Sequence, residues 1–364
     1  MSSFEINDPA HLEAILNWPA YGLTNNEKRK LFNKELLALT QFHYEQCPPY
    51  KILIDKFGIE KKPSDIEHSF ALPVRLFKNR VMMSVPDNEV VKTLLSSGTG
   101  GKPSTIVLDK NTSLLQTKIL SKIVTDLIGK DRLPMLVIDC PSTVKGRYRF
   151  SARTAGILGF SMYGRDITYA LNDDMTLNMS GIEAWLSKNV EKDLLLFGFT
   201  YIIWLHFLLA LEQSQLRLPL ERGLLIHGGG WKKIIDQSVD KNDFKRRINA
   251  VTGLKRIYNY YGMVEQTGSI FMECQNGRFH ASSWSDILIR DEITHEVLPY
   301  GERGLIELLS LIPRSYPGHV LLSEDIGRIT GIDDCSCGRF GVYFEVEGRL
   351  LNAEIRGCSD TYTQ

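Results

Sequence analysis

Residues 95–104 read Leu-Ser-Ser-Gly-Thr-Gly-Gly-Lys-Pro-Ser, a combination suited to gripping phosphate. Ser97 and Thr99 bring hydroxyls and Lys102 an ammonium. Gly98, Gly100 and Gly101 let backbone N–H groups come close to an anion. The segment is not a Walker A loop, which has a glycine five positions before its Gly-Lys-Ser/Thr; here Ser96 stands in that place and Pro103 follows Lys102. Near the other end, Cys358 follows Gly357 and lies two residues after Arg356. A thiolate is a strong nucleophile toward an activated acyl group, and a nearby guanidinium favours the thiolate form. A third set is Cys274 and His280, which flank the turn Gln275-Asn276-Gly277, with Cys335 and Cys337. Three sulfurs and one imidazole form a closed donor set for structural zinc, and such an ion would pin the hairpins that carry it. Cys-x-Cys is tighter than the usual zinc spacing, so small core cysteines remain the alternative.

Elements must position these groups. Residues 1–50 carry Leu12 and Leu16, then Phe32, Leu36 and Leu39, at helical spacing. Strand and helix patterns then alternate. Apolar residues 90–95 lead into the loop, and 109–130 reads as a long amphipathic helix capped by Asp109 or Asn111. Residues 135–139, 194–199, 223–226 and 256–260 read as short buried strands, with helices at 152–164 and 241–251. This alternation predicts an α/β fold with parallel strands. After about residue 268, short strands follow at 269–273, 278–281, 286–290, 304–309, 320–322, 327–330 and 341–346. The expected division is an α/β core over 1–267, a β-rich subdomain over 268–348 and a tail over 349–364.

Composition narrows the function classes. There are 43 basic and 43 acidic residues, so neither a nucleic-acid footprint nor an anionic-membrane surface is expected. Met1-Ser2-Ser3-Phe4-Glu5 lacks the basic and apolar regions of a signal peptide, and six cysteines without a secretory signal suit a reducing cytoplasm. The most apolar stretch, 194–211, is broken by Gly198, Thr200 and His206 and falls short of the roughly 20 apolar residues of a membrane span. It reads as a buried strand turning into a buried helix. Phe197, Phe199, Tyr201, Ile202, Trp204, Leu205, Phe207 and Leu208 either fill the core or line an acyl pocket, and His206 reads as a core histidine. Lys145, Arg147 and Arg149 form a solvated face or meet an anion.

Taken in order, several segments resemble the landmarks of the adenylate-forming enzymes. Ser-Ser-Gly-Thr-Gly-Gly-Lys-Pro at 96–103 is similar to their phosphate loop. Ile226-His227-Gly228-Gly229-Gly230-Trp231 resembles the glycine turn against adenine. Tyr260-Tyr261-Gly262-Met263-Val264-Glu265 resembles their Tyr-Gly-x-x-Glu motif, Glu324-Asp325-Ile326-Gly327-Arg328 the ribose-gripping acidic motif, and Glu347-Gly348-Arg349 the hinge. Gly331 to Arg339, with its Cys335-Ser336-Cys337-Gly338-Arg339, resembles a segment of the phenylacetate–CoA ligase branch. The likeness spans roughly residues 40–360. Two positions depart from the family pattern: Gly100 replaces a second threonine, and Ser104 stands where a lysine is common, which implies a weaker grip on phosphate.

The resemblance implies ATP as substrate and Mg²⁺ as cofactor. Ser96, Ser97, Gly98, Thr99, Gly100, Gly101 and Lys102 would hold the phosphates, and Glu265 would hold Mg²⁺. Gly228, Gly229 and Gly230 would let adenine lie on the backbone, with Tyr260 or Tyr261, ahead of Gly262, on its face. Asp325 would take the ribose hydroxyls, and Arg349 the ribose or a phosphate. A solvated Lys102, a helix-capping Glu265, a turn-forming Asp325 and core tyrosines are the plain alternatives for each residue alone. The sequence runs 16 residues past Gly348, so the mobile lid of most such enzymes is not expected here. A truncated fold ending in Arg-Gly-Cys-Ser-Asp looks like the acyl-protein synthetases of the bacterial luciferase fatty-acid reductase complex. That likeness implies a fatty acid substrate, self-acylation at Cys358, transfer to an acyl-accepting reductase subunit, and an oligomeric assembly. The ten residues from Gly348 to Cys358 reach at most about 33–36 Å when extended, enough for the tail to swing toward Arg349. An acyl- or aryl-CoA ligase and a non-catalytic nucleotide-binding subunit are the competing expectations.

Overall fold

The computed structural model describes residues 6–61, 63–96, 102–145, 152–231 and 239–350. Its strands, in chain order, are β1 (Leu72–Pro73), β2 (Val90–Leu95), β3 (Thr105–Asp109), β4 (Leu133–Ile138), β5 (Gly164–Tyr169), β6 (Leu194–Phe199) and β7 (Gly223–Gly228). They continue as β8 (Arg256–Gly262), β9 (Ile270–Glu273), β10 (Phe279–His280), β11 (Ser285–Arg290), β12 (Gly304–Ser310), β13 (Val320–Ile332) and β14 (Val342–Arg349). The chain divides into two compact units that do not follow its order. One draws on residues 6–96, 102–127 and 262–350, the other on 128–145, 152–231 and 239–261.

The second unit holds the parallel strands expected of an α/β chain, in the order β8-β7-β6-β4-β5. Every residue of β6 and β7 is buried, as central parallel strands covered on both faces require. The helix Lys241–Thr252 is fixed at both ends. Asp240 accepts from the N–H groups of Asn242 and Asp243 at its start, and Gly253 ends it at φ +71, a left-handed turn that suits glycine. Phe244 and Ile248 carry this helix onto a core of Trp204, Phe207, Leu196 and Leu225. The helix predicted over 152–164 ends at Ser161, and the chain enters β5. That edge strand, Gly-Arg-Asp-Ile-Thr-Tyr, is only half buried and shows no apolar alternation from which to read it. The stretch 200–211 is helical but not a plain α-helix, because Ile203–Leu208 forms a π turn.

The first unit carries an antiparallel sheet, β11-β12-β13-β14-β10-β9, with β1 parallel to β13 and a separate β2–β3 hairpin. The helix Asn25–Gln46 opens on a capping box between Thr24 and Glu27, and buries Phe32, Leu36 and Leu39 against Leu309, Leu311 and Val320. Of the two caps considered for the helix Lys110–Ile128, Asp109 is the one used: its Oδ1 accepts from Thr112 N at 2.9 Å. Two sequence expectations need correction. Residues 105–109 pair with β2 as a strand rather than running directly into the helix. The segments 320–322 and 327–330 are parts of one 13-residue strand, β13. The polar Ser323-Glu324-Asp325 between them resembles a turn in sequence but is a bulge in the structure. Among the described residues, no helix is long and apolar enough to cross a membrane.

Candidate active site

In the first unit, the base of the phosphate loop is tied to the Tyr-Gly-x-x-Glu motif. Ser96 N donates to Ser104 O at 3.0 Å, and Ser104 N donates to Ser96 Oγ at 2.8 Å. The loop therefore leaves and rejoins the β2–β3 hairpin at one closed step. Ser104, fully buried, turns its hydroxyl outward from that step and donates to Glu265 Oε1 at 2.6 Å. This bond spans 161 residues of sequence. The position that departs from the family pattern thus orients the carboxylate expected to hold Mg²⁺. Glu265 sits in a single 3₁₀ turn, Val264–Gln266, rather than capping a helix. That turn is held by Gln266 Nε2, which donates to Leu308 O and Gly318 O, and by Thr267 N, which donates to Tyr316 Oη. Gly262 precedes it because a Cβ there would lie 3.1 Å from Ser269 O.

Asp325 and Arg349 meet in the same unit. They are register partners across β13 and β14, and Arg349 Nε donates to Asp325 Oδ1 at 2.9 Å. On the other side of β13, Leu305 pairs with Ile326 and Glu307 with Leu322, so Ser323, Glu324 and Asp325 face the single residue Ile306. Ser323 Oγ takes over the local hydrogen bonding, donating to Ile306 O at 2.7 Å and accepting from Asp325 N at 3.1 Å. A bulge of this kind re-aims side chains that a regular ladder would alternate. Glu324, nearly buried, is bonded by Arg75. Lys102 is exposed. Ser97, Gly98, Thr99, Gly100, Gly101 and Cys358 lie outside the described residues, as do Arg147 and Arg149.

In the second unit, the glycine turn leaves the carboxyl end of β7, where ligands of open α/β sheets bind. Gly228 is paired with Phe199 of β6 and Tyr260 of β8. A Cβ at Gly228 would lie 2.3 Å from the Tyr260 ring, so the ring rests directly on this glycine's backbone. Gly229 is left-handed at φ +77, and nothing lies within 4 Å of a Cβ at Gly230. Behind Tyr260 are Phe160, with ring centroids 5.3 Å apart, and Phe197, at 6.4 Å. Tyr261 is half buried on the same strand. Below the turn, Thr200 Oγ1 donates to Gly228 O at 3.1 Å and meets His227 Nδ1 at 2.9 Å. Since the hydroxyl hydrogen goes to the carbonyl, His227 Nδ1 carries the proton in that contact. Burial holds this imidazole neutral, with its pKa lowered to about 3. Thr200→Val keeps the shape but leaves a carbonyl and an imidazole N–H unpaired. It is expected to lower unfolding stability by about 1–3 kcal/mol in urea titrations.

The apolar run resolves by face. Phe197, Phe199, Ile202, Trp204, Phe207 and Leu208 are buried in the core, whereas Tyr201, Leu205 and His206 are half buried. His206 is held below its ordinary pKa, first by burial and then by the charge of Arg153. Lys145 is exposed. Two features had no signal in the sequence. One is Ser104 as the partner of Glu265. The other is the buried pair Arg153–Asp139, in which Arg153 Nε donates to Asp139 Oδ2 at 2.5 Å just past the end of β4.

The Cys₃His set does converge. One donor atom from each of Cys274, His280, Cys335 and Cys337 lies within 4.8 Å of every other. Cys274 and His280 are buried, and Cys335 and Cys337 half buried.

The family described as acyl-protein synthetase, LuxE, matches residues 1–364. The chain belongs to this family. The acyl-protein synthetase relatives include the long-chain-fatty-acid–luciferin-component ligase of Vibrio harveyi, 24% identical over 377 residues, covering 100% of this chain and 94% of that one. The ligase of the same name from Aliivibrio fischeri is 23% identical and covers 99% of this chain and 93% of its own. Among solved structures, 2-hydroxyisobutyryl-CoA ligase with 2-HIB-AMP and CoA superposes with a TM-score of 0.70 at 17% identity, over 90% of this chain and 69% of that one. The acyl-protein synthetase chain therefore has the adenylate-forming fold that its motifs predict.

Proposed function

We propose that the chain activates a long-chain fatty acid with ATP and Mg²⁺, takes the acyl group onto Cys358, and passes it to a cysteine of a reductase partner. The fatty-acid ligase names of the relatives support the substrate. The adenylate held by the 2-hydroxyisobutyryl-CoA ligase supports the intermediate. The observation that carries the reading is the Ser104–Glu265 bond, which joins the base of the phosphate loop to a carboxylate suited to a hard cation.

A carboxylate is a poor acyl donor because oxide is a poor leaving group. In the first step a fatty-acid oxygen attacks the α-phosphorus of ATP, and pyrophosphate leaves with the bonding pair. Mg²⁺ at Glu265 would offset charge on the phosphate oxygens. By the family resemblance, Lys102 would hold the phosphates, Asp325 and Arg349 the ribose, and Gly228 to Gly230 with Tyr260 the adenine. Catalysis here is positioning and charge stabilisation. In the second step the Cys358 thiolate attacks the acyl carbonyl, the C–O bond to phosphate breaks, and AMP departs with the negative charge. The balanced net charge and the cysteine usage suit action in the cytoplasm. A structural zinc ion in the Cys₃His cluster would complete the cofactor set.

Labelled fatty acid, ATP and Mg²⁺ test the sequence of steps. The parent protein is expected to take up label that survives denaturation and is released by hydroxylamine. Cys358→Ser is expected to lose that label while fatty-acid-dependent pyrophosphate exchange continues. Persistent label in Cys358→Ser defeats the acceptor assignment. Acyl-CoA on addition of CoA favours the CoA-ligase reading instead, and no exchange with any acid leaves only nucleotide binding.

A further inference from the structure

The turn between β13 and β14 has little apolar core to hold its shape. Over residues 333–340 every side chain is exposed or half buried, including Cys335 and Cys337. Small core cysteines do not describe these two. The loop is nevertheless tightly specified. Asp333, at φ +62, accepts from Gly341 N at 2.6 Å and from Asn25 N at the start of the helix Asn25–Gln46. Phe340 N donates to Tyr21 O at 3.1 Å. The Arg339 guanidinium lies 4.2 Å over the Tyr21 ring, and its Nη2 donates to Asp126 Oδ2 at 2.8 Å. Asn276 Nδ2 points at Cys335 Sγ, 3.5 Å away, and donates to Ser336 Oγ at 2.9 Å.

We infer that Cys274, His280, Cys335 and Cys337 hold one structural zinc ion, which clamps the β13–β14 turn to the β9–β10 turn. Distances support the ion over a chance cluster. Zinc–sulfur and zinc–nitrogen bonds in a tetrahedron set sulfur–sulfur edges of about 3.8 Å and sulfur–nitrogen edges of about 3.6 Å. Cys274 Sγ and Cys335 Sγ are 4.0 Å apart, and Cys337 Sγ and His280 Nε2 are 3.4 Å apart. Two independent edges thus match the tetrahedron closely. The strands explain how distant residues reach these positions. β10 pairs with β9 on one side and β14 on the other, and His280 registers with Tyr343, the second residue of β14; the 333–341 loop folds back over this point, with Tyr343 Oη donating to Asp334 Oδ1 at 2.8 Å. Sulfur-rich tetrahedral sets select zinc over harder cations. Because the loop also grips Asn25 and Asp126, the ion secures the start of one helix and the last turn of another.

This inference does not rest on the acyl chemistry, and its test reads metal and fold. Full-length protein purified with reductant is expected to contain about one zinc per chain by elemental analysis. Cobalt in its place is expected to give tetrahedral ligand-field bands in the visible and thiolate-to-metal absorption in the near-ultraviolet. His280→Cys keeps a closed donor set and should retain the metal. His280→Ala and Cys337→Ser should lose it and melt at lower temperature. Chelation is expected to open a tryptic cut after Arg339. Reduced protein that stays metal-free after expression in zinc-supplemented medium overturns the site, as does a Cys274–Cys335 disulfide formed in the presence of reductant. Loss of zinc with residue 339 still protected overturns the clamp.

Discussion

Glu265→Gln is expected to reduce fatty-acid-dependent pyrophosphate exchange by about two to three orders of magnitude, the usual effect of removing one preorganised electrostatic contact from a transition state. The substitution preserves size and one carbonyl oxygen, so Ser104 Oγ still has an acceptor and the 3₁₀ turn keeps its other anchors at Gln266 and Thr267. What it removes is the negative charge. Ser104→Ala makes the complementary change, keeping the charge and freeing its orientation. Partners that orient a metal-binding group typically matter by about 10- to 100-fold, so this variant should fall between parent and Glu265→Gln. Exchange rates for the three proteins at saturating Mg²⁺ decide the matter. Glu265→Gln within threefold of parent, or below Ser104→Ala in effect, defeats the role given to this carboxylate.

Stability toward urea is expected to fall steeply as pH drops from 6.5 to 4.5. Among the described residues, three histidines outside the Cys₃His set are buried and neutral. His319 bonds Thr40 Oγ1 and stacks 4.8 Å from His43, which meets Ser84 Oγ at 2.7 Å; His227 sits under the glycine turn. Burial lowers His319 and His227 to about 3 and holds His43 well below its ordinary value. A histidine depressed in the folded state charges only after unfolding at these pH values. Its stabilising contribution is complete above 6.5 and erodes as pH falls toward the folded value. Glu307 works the other way. Burial beside Arg290 pushes its carboxyl up to about 7, so the folded state takes that proton first and offsets one histidine. A net uptake of two protons on unfolding remains, and at about 1.4 kcal/mol per pH unit for each proton the loss is about 3 kcal/mol per unit. Urea midpoints at pH 7, 6 and 5 measure it. A midpoint unchanged between 7 and 5 contradicts neutral burial. His319→Gln should flatten the slope by one proton.

The landmarks legible in the sequence are those whose meaning is local. Gly228 and Gly229 are glycines for reasons written into their own backbones, a ring lying against one and a left-handed φ at the other. Apolar β6 and β7 announce themselves because both faces are buried. The pairing of Ser104 with Glu265 was not legible, since neither residue's neighbours point to the other. Edge strand β5 escaped because it is half buried and shows no apolar alternation, and hairpin strand β3 because Ile106 and Leu108 gain their cover from Tyr316 and Leu321, far along the chain. Donor chemistry alone picked out the four metal-ligand candidates, but their meeting depends on β10 lying between β9 and β14. The joining of residues 6–96 with the β-rich segment is likewise a product of packing. Leu36 and Leu39 read only as an apolar helix face until Leu309 and Leu311 cover them.

The bulge in β13 has an implication for how this lineage can vary in length. Two supernumerary residues let Asp325 and its neighbour Glu324 leave the strict in-out alternation of a strand while Leu322 and Ile326 stay paired. Removing one of them would turn the acidic pair to the opposite surface without unpicking the hydrophobic layers, giving a soluble, folded and inert protein. Insertions and deletions should therefore be tolerated in surface connections such as 291–303 and purged from 322–326. A comparison of many sibling sequences would show that stretch as an island of constant spacing.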